Sequence, residues 1–517
     1  MDGSRTDLLV IHPGADGVYG ELRDNLVAVE PPLWARLIAG YVRDRGFSVQ
    51  LLDAEAVHAT PDEIAGYVST VRPRLVCLAV YGHQPSASTQ QMHAAGLTAR
   101  AIKQEPNAPP IIMVGGHVSA LPEQTMREEA IDYACVGEGP ITIIGLLKWL
   151  QPVAQERGTV YDILGLVHRN TSRLSIYGSI IVNDSAPLIE DLSQLHGNVW
   201  DLLPMAAYRS HNWQVFGDMS KRQPYASIYT TLGCPFACSF CCIAAPFRGA
   251  SEKSDRSYRM RKPIDVVDEI VMLYRDGVKT FKITDEMFVL NERHYTAICN
   301  YLIASGIADD INIWAYSRVD TVRPDTLALL RRAGIRWLAL GIESASAYVR
   351  DGAQKRFKNN DIVDVVRTIQ AADINVIGNF IFGLPDDNMD TMHDTLRLAL
   401  ELNCEFANFY SAMAYPGSPL YLEAISKGWN LPASWKGYSQ HNYECRPLDT
   451  LYLDAATVLK FRDEAFNIYF RNPRYLEMVK RKFGSETLQH VKNMTKYQLK
   501  RKLIEQRYVP AEMASSQ

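Results

Sequence analysis

The chain predicts an α/β protein built from two successive parallel sheets, and three observations carry that expectation. From Asp7 to about Trp149, short apolar runs alternate with helical patterns. From Pro224 a second and more regular alternation begins, and beyond about Tyr421 the strand signal stops. The first alternation predicts a doubly wound domain over 1–150 and the second a partial (β/α)6 barrel over 223–420. A connector fills 151–222, and a helical, aromatic C-terminal region fills 421–517.

In the first domain, DLLVIHP, SVQLLDA, RLVCLAVYG, PIIMVGG and DYACVGEG read as buried parallel strands. PPLWARLIAGYVRDRG, PDEIAGYVSTVR, the stretch after Pro85 and PEQTMREEA read as the helices between them. Ligands of such folds sit outside the carboxyl ends of the strands, here His12 to Gly20, Tyr81 to Thr89, Gly115 to Leu121 and Gly137 to Gly139. The connector, with VWDLLPMAAYRSHNW, has weak periodicity and is expected to pack. The barrel strands are YASIYTT, TFKITDE, INIWAYS, WLALGIES, VIGNFIFG and FANFYSAM, separated by helical segments such as PIDVVDEIVMLYRDG and MDTMHDTLRLALELN. Barrel active sites lie at the carboxyl ends of the strands.

Composition excludes several function classes. With 517 residues, 47% hydrophobic and 22% charged, the chain is of ordinary globular make-up and long enough for several domains. A net charge of −4 gives no general attraction for nucleic acid, so no nucleic-acid partner is expected, and the basic tail around Lys480, Arg481, Lys482, Lys496, Lys500, Arg501 and Lys502 reads as a solvated helix face. MDGSRTDLLVIHP lacks a basic region leading into an apolar run, and no apolar stretch reaches the roughly 18 residues of a membrane span. A cytoplasmic chain with no membrane partner is expected.

LGCPFACSFCCIAAPF, from Leu232, holds four of the nine cysteines: Cys234, Cys238, Cys241 and Cys242. In a reducing compartment such a cluster reads as metal-binding or catalytic rather than disulfide-forming. A structural zinc site usually pairs two short CxxC units, and no second pair exists, since Cys299, Cys404 and Cys445 are solitary. Thiolates at 234, 238 and 241 can converge on one face of a compact loop and leave one iron of a four-iron cluster open. A set of Cys234, Cys238 and Cys242 is the rival, but adjacent residues rarely point the same way, and Cys242 reads as a packing residue.

CxxxCxxC with an aromatic residue before the last cysteine resembles the radical SAM enzymes. The resemblance implies a 4Fe-4S cluster on Cys234, Cys238 and Cys241 that binds S-adenosylmethionine (SAM), with Phe240 beside it. It also implies an electron donor such as flavodoxin or ferredoxin, because a one-electron reduction of SAM yields a deoxyadenosyl radical. By the same resemblance the loops TDEMF (Thr284 to Phe288), Gly341 to Ser344 and GNFIFGLP (from Gly378) flank SAM. Asp285, Glu286, Arg318, Glu343, Ser344 and Gly383 are the candidate contacts, with Glu343 on the ribose or amino group and Arg318 on the carboxylate.

A doubly wound domain ahead of such a barrel resembles the cobalamin-binding branch of the family, with a Rossmann-like cobalamin domain. GGHVSALPE and VGEGP look like that branch's fourth and fifth strand loops. The implied cobalamin contacts are Gly14, Tyr81, His83, Ser86, Gly115, Gly116, His117, Gly137, Glu138 and Gly139. The Asp-x-His-x-x-Gly motif that supplies an axial nitrogen in many cobalamin domains is absent. His83 and His117 stand near the expected strand ends. The implied activity is a cobalamin-dependent methyltransferase acting on an unactivated carbon of a small-molecule substrate. A cyclase or rearrangement enzyme with the same cofactors is the alternative, and a non-catalytic cobalamin sensor or carrier the alternative of another class. Transfer-RNA methylthiolation expects further cluster cysteines in the first domain, where only Cys77 and Cys135 occur, each inside a strand pattern. The aromatic residues Trp429, Trp435, Tyr438 and Tyr443 either close the barrel mouth or belong to the core.

Overall fold

A computed structural model describes residues 6–14, 26–151, 158–170, 178–247, 257–357 and 361–508. The first sheet contains β1 (Leu8–His12), β2 (Val49–Asp53), β3 (Leu75–Val80), β4 (Ile111–Gly115), β5 (Tyr133–Cys135), β6 (Leu166–Arg169) and β7 (Ile180–Val182), in the order β2-β1-β3-β4-β5-β6-β7. The first five are parallel, as expected, and every residue of β1, β3 and β4 is buried because helices cover both faces. The chain steps outward from β1 to β2 and then returns to β3 on the other side. The strand order therefore reverses between β1 and β3, where ligands of open α/β sheets bind.

The segment read as a connector does more than pack. Its β6 and β7 add antiparallel to β5 and extend the sheet, and a series of single 3-10 turns from Leu192 to Arg222 then carries the chain to the second sheet. Short antiparallel strands with no helix between them leave little periodicity to read.

The second sheet contains β8 (Tyr225–Ile228), a two-residue pair β9 (Thr231–Leu232) and β10 (Arg259–Met260) standing apart, and β11 (Thr280–Ile283), β12 (Asn312–Arg318), β13 (Ile335–Glu343), β14 (Asn375–Phe382) and β15 (Phe406–Ser411). Its order is β15-β14-β13-β12-β11-β8, all parallel; β8 and β15 do not pair, so the six strands form an open barrel. The helix Ala455–Phe470 lies against β15 and β14, and Pro473–Met494 follows it. None of the described helices is long and apolar enough to cross a membrane.

Buried charge ties the two sheets together. Arg36, in the helix Leu33–Arg43, donates to the carbonyls of Ser227 (2.7 Å) and Gly197 (3.1 Å) and faces Glu269 at 3.5 Å. Glu138, after β5, pairs with Arg259 of β10 at 2.5 Å, each side chain only 5% exposed. Removing one member of such a pair strands the other in low dielectric, so these contacts fix how the strand ends of the two sheets face each other. The basic tail is exposed at Lys480, Arg481, Lys482, Lys496, Lys500 and Lys502, as the sequence leads one to expect, and Lys482 reaches Glu405 at 2.8 Å from the surface. Arg501 alone departs from that reading: it is 3% exposed and paired with Asp463 at 2.8 Å.

Candidate active site

The cysteine loop leaves β9 through Gly233, whose φ of +89° suits glycine and whose absent Cβ would run into the Ser257 carbonyl oxygen. Before it, the Asp285 carboxylate accepts from the backbone amides of Thr230 (2.6 Å) and Thr231 (3.0 Å) and from the Thr230 hydroxyl (2.5 Å). Within the loop, Ser239 N–H donates to the Ala353 carbonyl (3.0 Å) and Leu420 N–H to the Ser239 carbonyl (2.8 Å). Backbone bonds from three separate segments thus set its path.

Cys234, Cys238 and Cys241 are all half-buried, whereas Cys242 is 6% exposed and packs toward Gly417. Burial pushes the Cys234 thiol up to about 12 and raises the Cys241 thiol well above the usual thiol range. Thiols raised in this way keep their protons until a metal takes the proton's place. Arg318, at the end of β12, points Nη1 at Cys238 Sγ (3.7 Å) and stacks on the Phe236 ring at 3.9 Å, while Asp320 braces its Nε at 2.9 Å. A cation there complements the negative charge of a thiolate-ligated cluster. Phe240 is half-buried between two small apolar clusters, around Leu420 and around Val349 and Leu384. The remaining cysteines, Cys77, Cys135, Cys299, Cys404 and Cys445, are buried and free.

The other candidates of the barrel divide into two groups. Glu286 is half-buried beside Cys234, and burial raises its carboxyl to about 8. Glu343 has a φ of +65° at a break in the β13–β14 register and is ion-paired with Lys355, both next to Gly341, where a side chain would collide with them. Strained backbone of this kind is held only by its surroundings. By contrast Asp285 is occupied with the loop amides, Ser344 bonds Thr395 Oγ1 (3.2 Å) and the Ser346 amide (3.2 Å), and Gly383 lies under Val458 with its amide held by Asp387. These three position the loops.

In the first domain most candidate residues serve packing. Tyr81 stacks on Trp34 (4.6 Å) and donates to the Gly137 carbonyl (3.1 Å), and Glu138 is committed to Arg259. Side chains at Gly115, Gly116 and Gly139 would meet the Val80 carbonyl, Ser88 and Val114 respectively, and Gly14 (φ +79°) abuts Glu55; a Cβ on Gly137 would meet nothing. The rest of the first loop, 15–20, lies outside the described residues. Ser86 opens the helix Ala87–Gln104 without a side-chain cap. His117 bonds Thr89 Oγ1 (3.1 Å) and meets the Trp435 ring edge-on at 4.4 Å, so the C-terminal aromatics also clamp the first domain. Tyr438 is core and Tyr443 is exposed.

His83 differs from the rest. It lines a cavity of about 960 Å³ that runs from the strand ends of the first sheet into the barrel interior. Glu30, Glu55 and Gln90 line it from the first domain, Lys282, Tyr316 and Asn379 from the barrel, and Arg462 and Arg501 from the C-terminal region. Glu30 is the charge centre: its carboxylate accepts from Lys282 Nζ (3.0 Å) and Ser227 Oγ (2.9 Å), with His83 and His211 at 3.8 and 3.7 Å. Against the cost of burial, Lys282 and the two histidines hold Glu30 down to about 2. The sequence reading missed Glu30, Lys282 and His211 because they come from three distant segments with no shared motif.

Residues 228–399 match the Radical SAM superfamily and residues 22–147 the B12 binding domain family. Fold and sequence together define an enzyme of the radical SAM class with a B12-binding domain in front. The chain thus joins a radical SAM domain to a B12-binding domain, and the cofactors of that combination are a 4Fe-4S cluster, SAM and cobalamin. It is 28% identical over 411 residues to an uncharacterized methyltransferase of Pyrococcus horikoshii, covering 79% of this chain and 82% of the relative. It is 26% identical over 427 residues to the anaerobic magnesium-protoporphyrin IX monomethyl ester cyclase of Cereibacter sphaeroides, covering 80% of this chain and 63% of the cyclase. The solved structure of the radical SAM methyltransferase TsrM of Kitasatospora setae, with cobalamin and cluster bound, superposes with a TM-score of 0.65 over 95% of this chain and 100% of that one. At 16% identity the likeness is one of fold.

Proposed function

We propose that this enzyme is a methyltransferase that methylates an unactivated carbon of a small-molecule biosynthetic intermediate. The observation that carries the reading is the cavity, since one continuous space touches both the strand ends of the B12-binding domain and the inner face of the barrel. A substrate held there meets the first domain at Glu30, Glu55, His83 and Gln90 and the barrel at Lys282, Tyr316 and Asn379. When bound, the cluster with SAM supplies a radical for hydrogen abstraction, and cobalamin supplies the methyl group.

In this reading Cys234, Cys238 and Cys241 hold the cluster and Arg318 balances its charge. Glu286, Glu343 and Phe240 border SAM, and Asp285, Ser344 and Gly383 shape the loops that do so. Residues 1–150 carry cobalamin, 151–222 link and extend that sheet, 223–420 form the catalytic barrel, and 421–517 close it. The walls bring Trp314, Tyr316 and Phe409 to the substrate, with Asn379 and Arg462 as polar contacts. Closure by helix Ala455–Phe470 keeps water from a reactive intermediate. A flavodoxin or ferredoxin in the same compartment, the cytoplasm, delivers the electron.

The 26% identity to the cyclase favours a second reading, ring formation without methyl transfer. Turnover with SAM carrying a deuterated methyl group separates the two. Methyl transfer puts the label in the product and releases deoxyadenosine and S-adenosylhomocysteine in roughly equal amounts. An unlabelled product with deoxyadenosine alone would establish the cyclase reading instead.

A further inference from the structure

His83 Nε2 is buried and has no hydrogen-bond partner. An imidazole nitrogen left that way is destabilising unless something outside the polypeptide satisfies it. The residue follows β3, beside the point where the strand order reverses, and lines the cavity. We propose that His83 supplies, through Nε2, the axial nitrogen to the cobalt of bound cobalamin, in place of the missing Asp-x-His-x-x-Gly histidine. The inference rests on the cobalamin dependence used above.

The surroundings of the ring suit a metal ligand. Its Nδ1 faces Glu30 Oε2 at 3.8 Å, and Lys282 and Ser227 fix that carboxylate. A carboxylate behind a ligating imidazole orients the ring and raises its basicity. Lys282 Nζ also donates to the His83 carbonyl (3.2 Å), so the barrel itself holds the loop in place.

The neighbouring histidines are otherwise engaged. His12 has Asp53 Oδ1 at 2.9 Å on Nδ1 and Gln91 Nε2 at 2.8 Å on Nε2. His117 is bonded to Thr89 and covered by Trp435. His211 stacks on Trp213 with its Nε2 turned to Glu30. Ligand atoms of His12, Glu55 and His83 lie within 4.8 Å of one another, which raises a separate divalent cation as the competing occupant. The engagement of both His12 nitrogens argues against that set and leaves His83 as the open ligand.

The test is electron paramagnetic resonance of the full-length protein loaded with cob(II)alamin, the cluster kept in its diamagnetic state. Superhyperfine splitting from one axial nitrogen is expected as triplets, changing to doublets when the protein is made with 15N-labelled histidine. The splitting should vanish in His83→Ala, return as doublets when 15N-imidazole is added to that variant, and persist in His117→Gln and His211→Gln. Splitting that ignores the protein label, is absent from the wild type or survives in His83→Ala would overturn the proposal. So would a stoichiometric zinc ion lost in His83→Ala while the cobalt signal stays unchanged. None of these readings needs turnover, so nitrogen splitting in a protein that transfers no methyl group would count against the proposed function alone.

Discussion

The two sheets meet one cavity, yet they present their sites in opposite ways. On the barrel side the cysteine loop is suspended from backbone bonds, with three thiols half-buried and directed by Asp285, Ala353 and Leu420. On the first-domain side Gly115 and Gly139 are pressed against Val80 and Val114 of the sheet, and a single candidate, His83, lines the cavity. A cluster needs particular atoms at particular places, so chemistry constrains residue identity. A corrin is held largely by shape, so packing constrains it.

The largest effect expected from that contrast is all-or-none. Alanine at Cys234, Cys238 or Cys241 should abolish the iron–sulfur chromophore and SAM cleavage, while Cys242→Ala keeps both, because Cys242 contributes only packing. Iron content and the visible spectrum after anaerobic reconstitution decide it. Loss of the cluster in Cys242→Ala with retention in Cys241→Ala would move the ligand register by one.

Next in size is the seam. Arg259→Ala leaves Glu138 buried and uncompensated, and about 3–5 kcal/mol of stability should go with it. Urea unfolding followed by tryptophan fluorescence measures this. Cobalamin affinity should fall as well, since the seam sets the distance between the two halves of its site; unchanged retention would mean that the first domain holds the corrin alone.

A smaller and more local effect belongs to Gly233. Alanine there meets the Ser257 carbonyl at a φ of +89°, which costs about 1–2 kcal/mol in backbone strain alone. The expected signature is partial cluster incorporation with the fold intact by circular dichroism. Full incorporation would show that the loop has slack to absorb a side chain.

The same contrast explains what the sequence made legible. Parallel strands buried on both faces announce themselves as apolar runs, so β1, β3 and β4 and the barrel strands were readable, as was a triad whose spacing the cluster chemistry dictates. Strands β6 and β7 were not, being only four and three residues long and antiparallel, with β7 largely uncovered. Nor was the group of Glu30, His83, His211 and Lys282, which only the folded chain assembles. Glu138 and Gly139 sat in a glycine pattern that suggested ligand contact, and the structure uses them for an ion pair and for close packing on Val114.

The last expected effect is a pH dependence seated in that assembled group. Burial holds both His83 and His211 down to about 4, so between about 6.5 and 4 the unfolded chain takes up protons that the folded chain refuses, and stability falls as pH falls. Glu30 acts in the same direction lower down. Its folded value of about 2, against the usual 4.5, gives stability that is fully present above 4.5 and lost as pH falls toward 2. Urea midpoints of the metal-free chain from pH 7 to pH 3 should therefore decline throughout. Glu30→Gln should be less stable at pH 7, because Lys282 loses its buried partner, and should lack the steep part of the decline below 4.5. A variant that matches the wild type over the lower range would show that the carboxylate at the junction of the two sheets carries no folding energy, and that the sheets are held together by the Arg36 and Arg259 contacts instead.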